Sequence, residues 1–129
     1  MQKRKYSFKK INRLKSKKGF QLTFTRGRAV VDGLAVLYVR YVGDDVLGDS
    51  GDLKIGFAAG KKLGCAVVRN RIKRLMREVF RKHQDKLREG YHIVWMARKK
   101  LARADYMTYE RVFLRLAKRA GVLEEQVGL

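Results

Sequence analysis

Residues 60–81 read GKKLGCAVVRNRIKRLMREVFR, and within them Val68, Ile72, Leu75, Met76, Val79 and Phe80 recur at intervals of three and four. At about 100° of rotation per residue these six side chains form one apolar stripe along an α-helix. Asn70, Arg71, Lys73, Arg74, Arg77, Arg81 and Lys82 fall on the other side, with Arg69 near the stripe's edge. One side of the helix therefore belongs to a core and the other carries dense positive charge. The helix is predicted from about Ala66 to Lys86, ending before Gly90, and GKKLG at 60–64 is a glycine-bounded connection into it.

Working outward, Leu53 to Ala59 reads as a strand, and GDDVLGDSGD at 43–52, with four acids and three glycines, reads as a hairpin loop. Before it, Ala29 to Val42 is rich in β-branched and aromatic residues, with Val36, Tyr38 and Arg40 alternating with Leu37, Val39 and Tyr41. A strand with two unlike faces follows, and the simplest arrangement is an antiparallel hairpin of 29–42 with 53–59. Further upstream, Ser16 suits the N-cap of a short helix near Lys17 to Arg26. Phe20 and Phe24 lie four apart on one side of it, and Gly27 is placed for a left-handed stop. Downstream, YHIVWMA at 91–97 has the uninterrupted apolarity of a buried central strand. The basic turn Arg98 to Arg103 leads to a last amphipathic helix, Tyr106 to Ala120, with Val112, Phe113 and Leu116 inward and Gly121 ending it. The predicted order is α-β-β-α-β-α, a single-domain α+β two-layer sandwich over residues 16–121. A basic, poorly ordered arm at 1–15 precedes it and a tail at 122–129 follows.

The 129 residues carry 32 Lys and Arg against 12 Asp and Glu, a formal charge of +20. Self-repulsion on that scale is tolerable mainly beside a polyanion. Nine of the cations lie in residues 1–18, where there is no acid. Nucleic acid and an anionic membrane both fit the charge alone. No apolar run approaches the ~18 to 20 residues that span a bilayer, and there is no secretory h-region. The expectation is a soluble, cytoplasmic protein. Cys65 is the only cysteine, and His83 and His92 are not at metal-ligand spacing from it, so no zinc site is expected.

Arginine suits a phosphate backbone because its planar guanidinium can hold two oxygens at once. The Arg69–Arg77 stretch offers four arginines and a lysine, and Asn70 adds donors and an acceptor for a ribose hydroxyl or a base edge. Helix pattern alone leaves open whether this is an RNA-binding face or a solvated one. Phe20, Phe24 and Tyr38 are equally open between core packing and stacking platforms for single-stranded RNA. A protein nuclease site needs clustered carboxylates with metals or a histidine acid-base pair, and neither is evident, so no catalytic residue is assigned. Asp44, Asp45, Asp49 and Asp52 cluster only in the predicted loop. A structural RNA-binding protein such as a ribosomal one, or a stand-alone metal-dependent nuclease, are the competing classes.

The 60–81 segment resembles the signature of the bacterial ribonuclease P protein family. Ala66, Arg69, Asn70, Arg71, Ile72, Lys73, Arg74 and Arg77 stand at its pattern positions, and Lys61 and Lys62 match its paired lysines. Phe20 and Phe24 match its two aromatic positions on the first helix, Tyr38 its strand tyrosine, and Ala97, Arg98 and Lys99 the run after its third strand. The similarity extends over about residues 10–118; Gly60, Cys65 and the acidic 43–52 loop depart from the pattern. The resemblance implies a left-handed βαβ crossover. It also implies a subunit of the ribonucleoprotein that endonucleolytically removes the 5′ leader from precursor tRNA. On that analogy Lys61, Lys62, Arg69, Asn70, Arg71, Lys73, Arg74, Arg77 and Arg81 bind the catalytic RNA. Phe20, Phe24, Val36, Tyr38 and Arg40 line the groove for the single-stranded leader. The implied partners are ribonuclease P RNA and precursor tRNA, with no DNA or membrane. No cofactor is bound by the protein alone; Mg²⁺ enters through the RNA subunit, which does the chemistry.

Overall fold

The computed structural model describes residues 13, 14, 16–43 and 52–124. Helix α1 spans Lys17–Arg26, strands β1 and β2 span Arg28–Val31 and Ala35–Tyr41, and β3 spans Lys54–Ala58. Helix α2 spans Ala66–His83, β4 spans Tyr91–Ala97, and α3 spans Tyr106–Ala120. Short 3₁₀ turns occupy Lys61–Leu63, Gln84–Lys86 and Lys99–Leu101. The α+β class holds, and the bounds of α1, β4 and α3 are those predicted. The last turn predicted for α2 is the 3₁₀ turn at 84–86.

Two strand expectations are overturned. The predicted 29–42 strand is broken into β1 and β2 by a turn at Asp32-Gly33, whose Asp32 Oδ1 accepts from the amides of Leu34 (2.8 Å) and Ala35 (3.0 Å). This is the self-bonding turn habit of an Asp followed by Gly. The hairpin between 29–42 and 53–59 does not exist either. The sheet order is β1-β2-β4-β3; β2 pairs antiparallel with β4, and β3 pairs parallel with β4. The physical reason lies in β4, which is apolar on both faces and is stabilised most with a neighbour on each edge. β3 then connects to β4 through α2, the long crossover that a parallel pair needs.

The sheet has two covered faces. Leu37, Ile55, Ile93 and Trp95 point toward α2 and α3 and meet Ile72, Met76, Val79, Phe80, Val112, Phe113 and Leu116 in one core. Trp95 is its centre, with ring centroids 4.7 Å from Phe113, 6.4 Å from Tyr109 and 6.5 Å from Phe57. Burying such a side chain is worth about 1.5–3 kcal/mol. Helix α1 lies on the opposite face.

Three end effects also differ from expectation. Gly27 ends α1 in extended backbone (φ −85°), and glycine is needed there for closeness: a Cβ would lie 2.3 Å from the Thr23 carbonyl oxygen and 2.7 Å from that of Val39. Gly121 does take the left-handed conformation (φ 78°). The fold extends beyond the predicted tail boundary, since Val122 is fully buried and Leu123 bridges to Leu87. It also reaches into the predicted arm: the Leu14 amide donates to the Ile55 carbonyl at 2.9 Å and its side chain is buried. Arg13 bridges to Ile55 as well, while residues 1–12 and 15 of the arm, 125–129 of the tail, and Asp44, Asp45 and Asp49 of the acidic segment lie outside the described residues. None of the described helices is long and apolar enough to cross a membrane.

Candidate RNA interface

The face under α1 is built by register. Across the sheet, Val36 stands opposite Met96, Tyr38 opposite Val94 and Arg40 opposite His92, while Ala58, Gly56 and Lys54 continue the same three rows on β3. Ser16 caps α1, its Oγ accepting from the Gly19 amide at 2.8 Å, and so sets the helix's entry onto this face. Phe20 lies directly on Gly56, where a Cβ would come within 2.3 Å of the ring's Cζ. Phe24 meets Tyr38 edge to face, centroids 4.7 Å apart at 90°, and lies 6.3 Å from Phe20. Phe24 is 37% exposed, whereas Phe20 and Tyr38 are half-buried. The three aromatics therefore form one connected ledge at the surface.

Val36 and Arg40 differ in accessibility from that ledge. They are 8% and 6% exposed, and an Arg40 Nη2 lies 3.5 Å from His92 Nδ1. Both belong to the floor beneath the groove. Gly56, Lys54, Ala58, His92, Val94 and Met96 share the face and were not anticipated, because the β3–β4 parallel pairing that brings them there leaves no local mark in the sequence.

The α2 side chains expected at the RNA divide into three groups. Asn70, Arg74 and Arg77 are exposed on its outer side. Arg69 and Lys73 lie on one flank; Arg69 Nε donates to the Gly64 carbonyl at 3.2 Å, and Lys73 joins Lys61 and Lys62 around an open pocket of about 680 Å³. Its floor is apolar, with Ala58, Leu63, Met96 and Ala97. Ala58 and Met96 are the next row beyond Gly56 and Val94, so the pocket carries the sheet face from the aromatic ledge to the foot of the basic helix.

Arg71 and Arg81 stand apart from that basic side. Arg71 is half-buried on the other flank, donating to the carbonyls of Ala102 (3.1 Å) and Ala104 (3.3 Å). Arg81 is paired with Glu78, its Nε donating to Oε1 at 3.1 Å. The hydrogen bond from Arg81 holds the Glu78 carboxyl below the ordinary carboxylate range, and Glu78 in turn raises the guanidinium. Helix periodicity counted both arginines as free cations because it does not register what a neighbouring turn or an acid three residues away takes up.

The two histidines do not meet. His92 is on the α1 face, while His83 Nε2 sits 2.7 Å from Glu110 Oε2 and links α2 to α3. Among the described residues, no three His, Cys, Asp or Glu side chains converge as metal ligands. What the surface offers is charge, a stacking ledge and an apolar pocket between them, the chemistry of binding a single-stranded polyanion.

Comparison with known proteins gives one answer. The profile of the family described as Ribonuclease P matches residues 8–121. The ribonuclease P protein component of Symbiobacterium thermophilum is 38% identical over 120 residues, covering 92% of this chain and 98% of that one. That of Caldanaerobacter subterraneus subsp. tengcongensis is 35% identical over 117 residues, covering 91% and 96%. Among solved structures, the RNase P protein of Thermotoga maritima superposes with a TM-score of 0.72 at 32% identity, over 83% of this chain and 96% of its own. That of Staphylococcus aureus gives 0.77 at 26% identity, over 88% and 98%. With the four-stranded sheet, the basic α2 and the aromatic ledge in place, the chain belongs to the ribonuclease P protein family.

Proposed function

We propose that this protein binds ribonuclease P RNA through Lys61, Lys62, Arg69, Asn70, Lys73, Arg74 and Arg77, and receives the 5′ leader of precursor tRNA on Phe20, Phe24 and Tyr38. The observation that carries the reading is the continuity of the α1 face with the lysine-rimmed pocket at the foot of α2. The leader can lie on the aromatics while the neighbouring lysines hold phosphates of ribonuclease P RNA, so one continuous surface sets the two RNAs side by side. Stacking tolerates any base sequence because every base has a π-face, which suits leaders of differing sequence.

In this reading the protein acts in the cytoplasm as part of a ribonucleoprotein and does not itself cut. The RNA subunit carries out the endonucleolytic step with bound Mg²⁺. The protein lowers the cost of bringing two polyanions together, which also favours metal-ion binding by the complex, and its ledge gives leader-bearing precursor an advantage over mature tRNA. Reconstitution tests this directly. The protein should raise leader cleavage by a bacterial ribonuclease P RNA at near-physiological salt, and the gain should be largest at low Mg²⁺. Absence of any gain across a Mg²⁺ series overturns the proposal, and leader cleavage by the protein without RNA points to a protein nuclease instead.

A further inference from the structure

Helix α1 carries Phe20 and Phe24, yet little in its own sequence holds it in place. It has 10 residues, fewer than the ~12 to 15 at which isolated helices are even marginal in water. Its first turn contains no acid and begins with Lys17 and Lys18, cations at the end where the helix dipole favours anions. Within α1 only Thr23 is buried. The helix therefore depends on what precedes it. Leu14 is 5% exposed, although it lies in the stretch whose charge predicts a loose arm. Its amide donates to the Ile55 carbonyl at 2.9 Å and Arg13 makes a parallel bridge to the same residue, so 13–14 runs along β3, an edge strand of the sheet. The Leu14 side chain fits against Gly19, where a Cβ would come within 2.9 Å of Leu14 Cδ1 and 3.6 Å of Cγ. Ser16, between the two, accepts from the Gly19 amide at 2.8 Å.

A strand hydrogen bond, a buried leucine and a helix cap thus form one bracket over residues 14–19. Its far end adjoins the ledge: Leu14 bonds to Ile55, and Phe20, the residue after Gly19, lies on Gly56, the residue after Ile55. Two consecutive positions of β3 therefore hold the start of the bracket and the first ring of the ledge. A helix turns about 100° and rises about 1.5 Å per residue, so any slip of the bracket carries the ring off its seat. We infer that Leu14 is a positioning residue for the leader site: it registers α1 on β3, and so sets the aromatic ledge, while making no RNA contact itself. The inference rests on the proposed reception of the 5′ leader on Phe20, Phe24 and Tyr38. It makes the preference for precursor depend on an apolar contact outside the groove.

A double-mutant cycle on the full chain tests this, with each variant assembled at saturating protein into the holoenzyme and affinities measured for leader-bearing precursor and for mature tRNA. Leu14→Ala empties the slot against Gly19 and should weaken precursor binding at least about fivefold, the low end of one lost base stack, with mature tRNA within about twofold. Leu14→Met keeps the volume and should restore the preference to within about twofold of wild type. Gly19→Ala favours a helix in isolation but presses on Leu14 and Ser16, so it should lower the preference as well. With Leu14→Ala already present, Gly19→Ala has no leucine to displace, and the combined loss should fall short of the two single losses added. Wild-type preference in Leu14→Ala, equal loss for both RNAs, no rescue by methionine, or full additivity overturns the inference. If Leu14→Ala does not fold, Gly19→Ala, which removes no buried atom, carries the test, and an unchanged preference there overturns the inference. Phe24→Ala is the control for the underlying reading. If it leaves the preference for precursor intact, the proposed leader site fails; if it lowers the preference while Leu14→Ala does not, only the inference about Leu14 fails.

Discussion

Gly56→Ala isolates the aromatic ledge from the rest of the fold. Gly56 is buried on β3 in backbone without a positive φ, so alanine meets no conformational strain, and the strand loses some of glycine's entropic cost, about 0.5–1 kcal/mol. The new Cβ meets only the Phe20 ring among its three nearest atoms, at 2.3 Å from Cζ and 2.9 Å from Cε1 and Cε2. Carbon atoms rest at about 3.5–4.0 Å, so the ring must retreat by more than about 1 Å, and it is the free end of a side chain that can swing. Stability should therefore change little while the stacking surface is displaced. One lost base stack is worth about 1–3 kcal/mol, or roughly 5- to 150-fold in affinity. The assay is equilibrium binding of leader-bearing precursor and of mature tRNA to the reconstituted holoenzyme, beside a thermal melt of the protein. The expected result is weakened precursor binding with mature tRNA and melting temperature nearly unchanged. Equal losses for both RNAs, or an undiminished preference for precursor, refute the reasoning.

Phe24→Ala removes an exposed ring whose main partner is Tyr38, so it should cost about 0.5–1.5 kcal/mol of stability and lower precursor affinity selectively; a loss confined to stability in a melt would place Phe24 in the core alone. Glu78→Gln should release Arg81 and steepen the salt dependence of RNA binding by up to about one unit of slope, an effect absent if Arg81 faces no phosphate. Asp32 should make stability depend on acid. Burial, the largest single influence, pushes its carboxyl up, but the hydrogen bond from Arg115 and those from the amides of Leu34 and Ala35 outweigh it and hold the group below its ordinary value. A depressed carboxylate contributes stability that is fully present above its unfolded pKa of about 3.9 and is lost as pH falls through the folded value. Wild type should thus exceed Asp32→Asn in melting temperature at pH 6, and the gap should close toward pH 2; a constant gap would assign the effect to the turn's geometry alone.

Much of this protein is written locally. The period of Val68, Ile72, Met76 and Phe80 placed α2, the Ser16 and Gly121 signals marked where α1 begins and α3 ends, and the doubly apolar Tyr91–Ala97 announced a central strand. These features depend on residues within a turn or two of one another, where backbone geometry and hydrophobic pattern act directly. The Asp32-Gly33 turn was also present as a local signal, masked by the β-branched residues around it.

Tertiary structure decided what pairs with what. Nothing in 29–59 says that β4, some thirty residues further on, will take the place beside β2; that outcome depends on which arrangement buries both edges of the most apolar strand. The same pairing puts Gly56 under Phe20 and sets the lysines of 61–62 and Lys73 around the end of the groove. Charge shows the same division. Composition alone dictated that this chain meets a polyanion, and helix periodicity listed the arginines of α2 as one side. Only the packed fold separates Arg74 and Arg77, which face outward, from Arg71 and Arg81, whose guanidiniums are held by two turn carbonyls and by Glu78, because a charge is free or spoken for according to neighbours that the chain brings close in space.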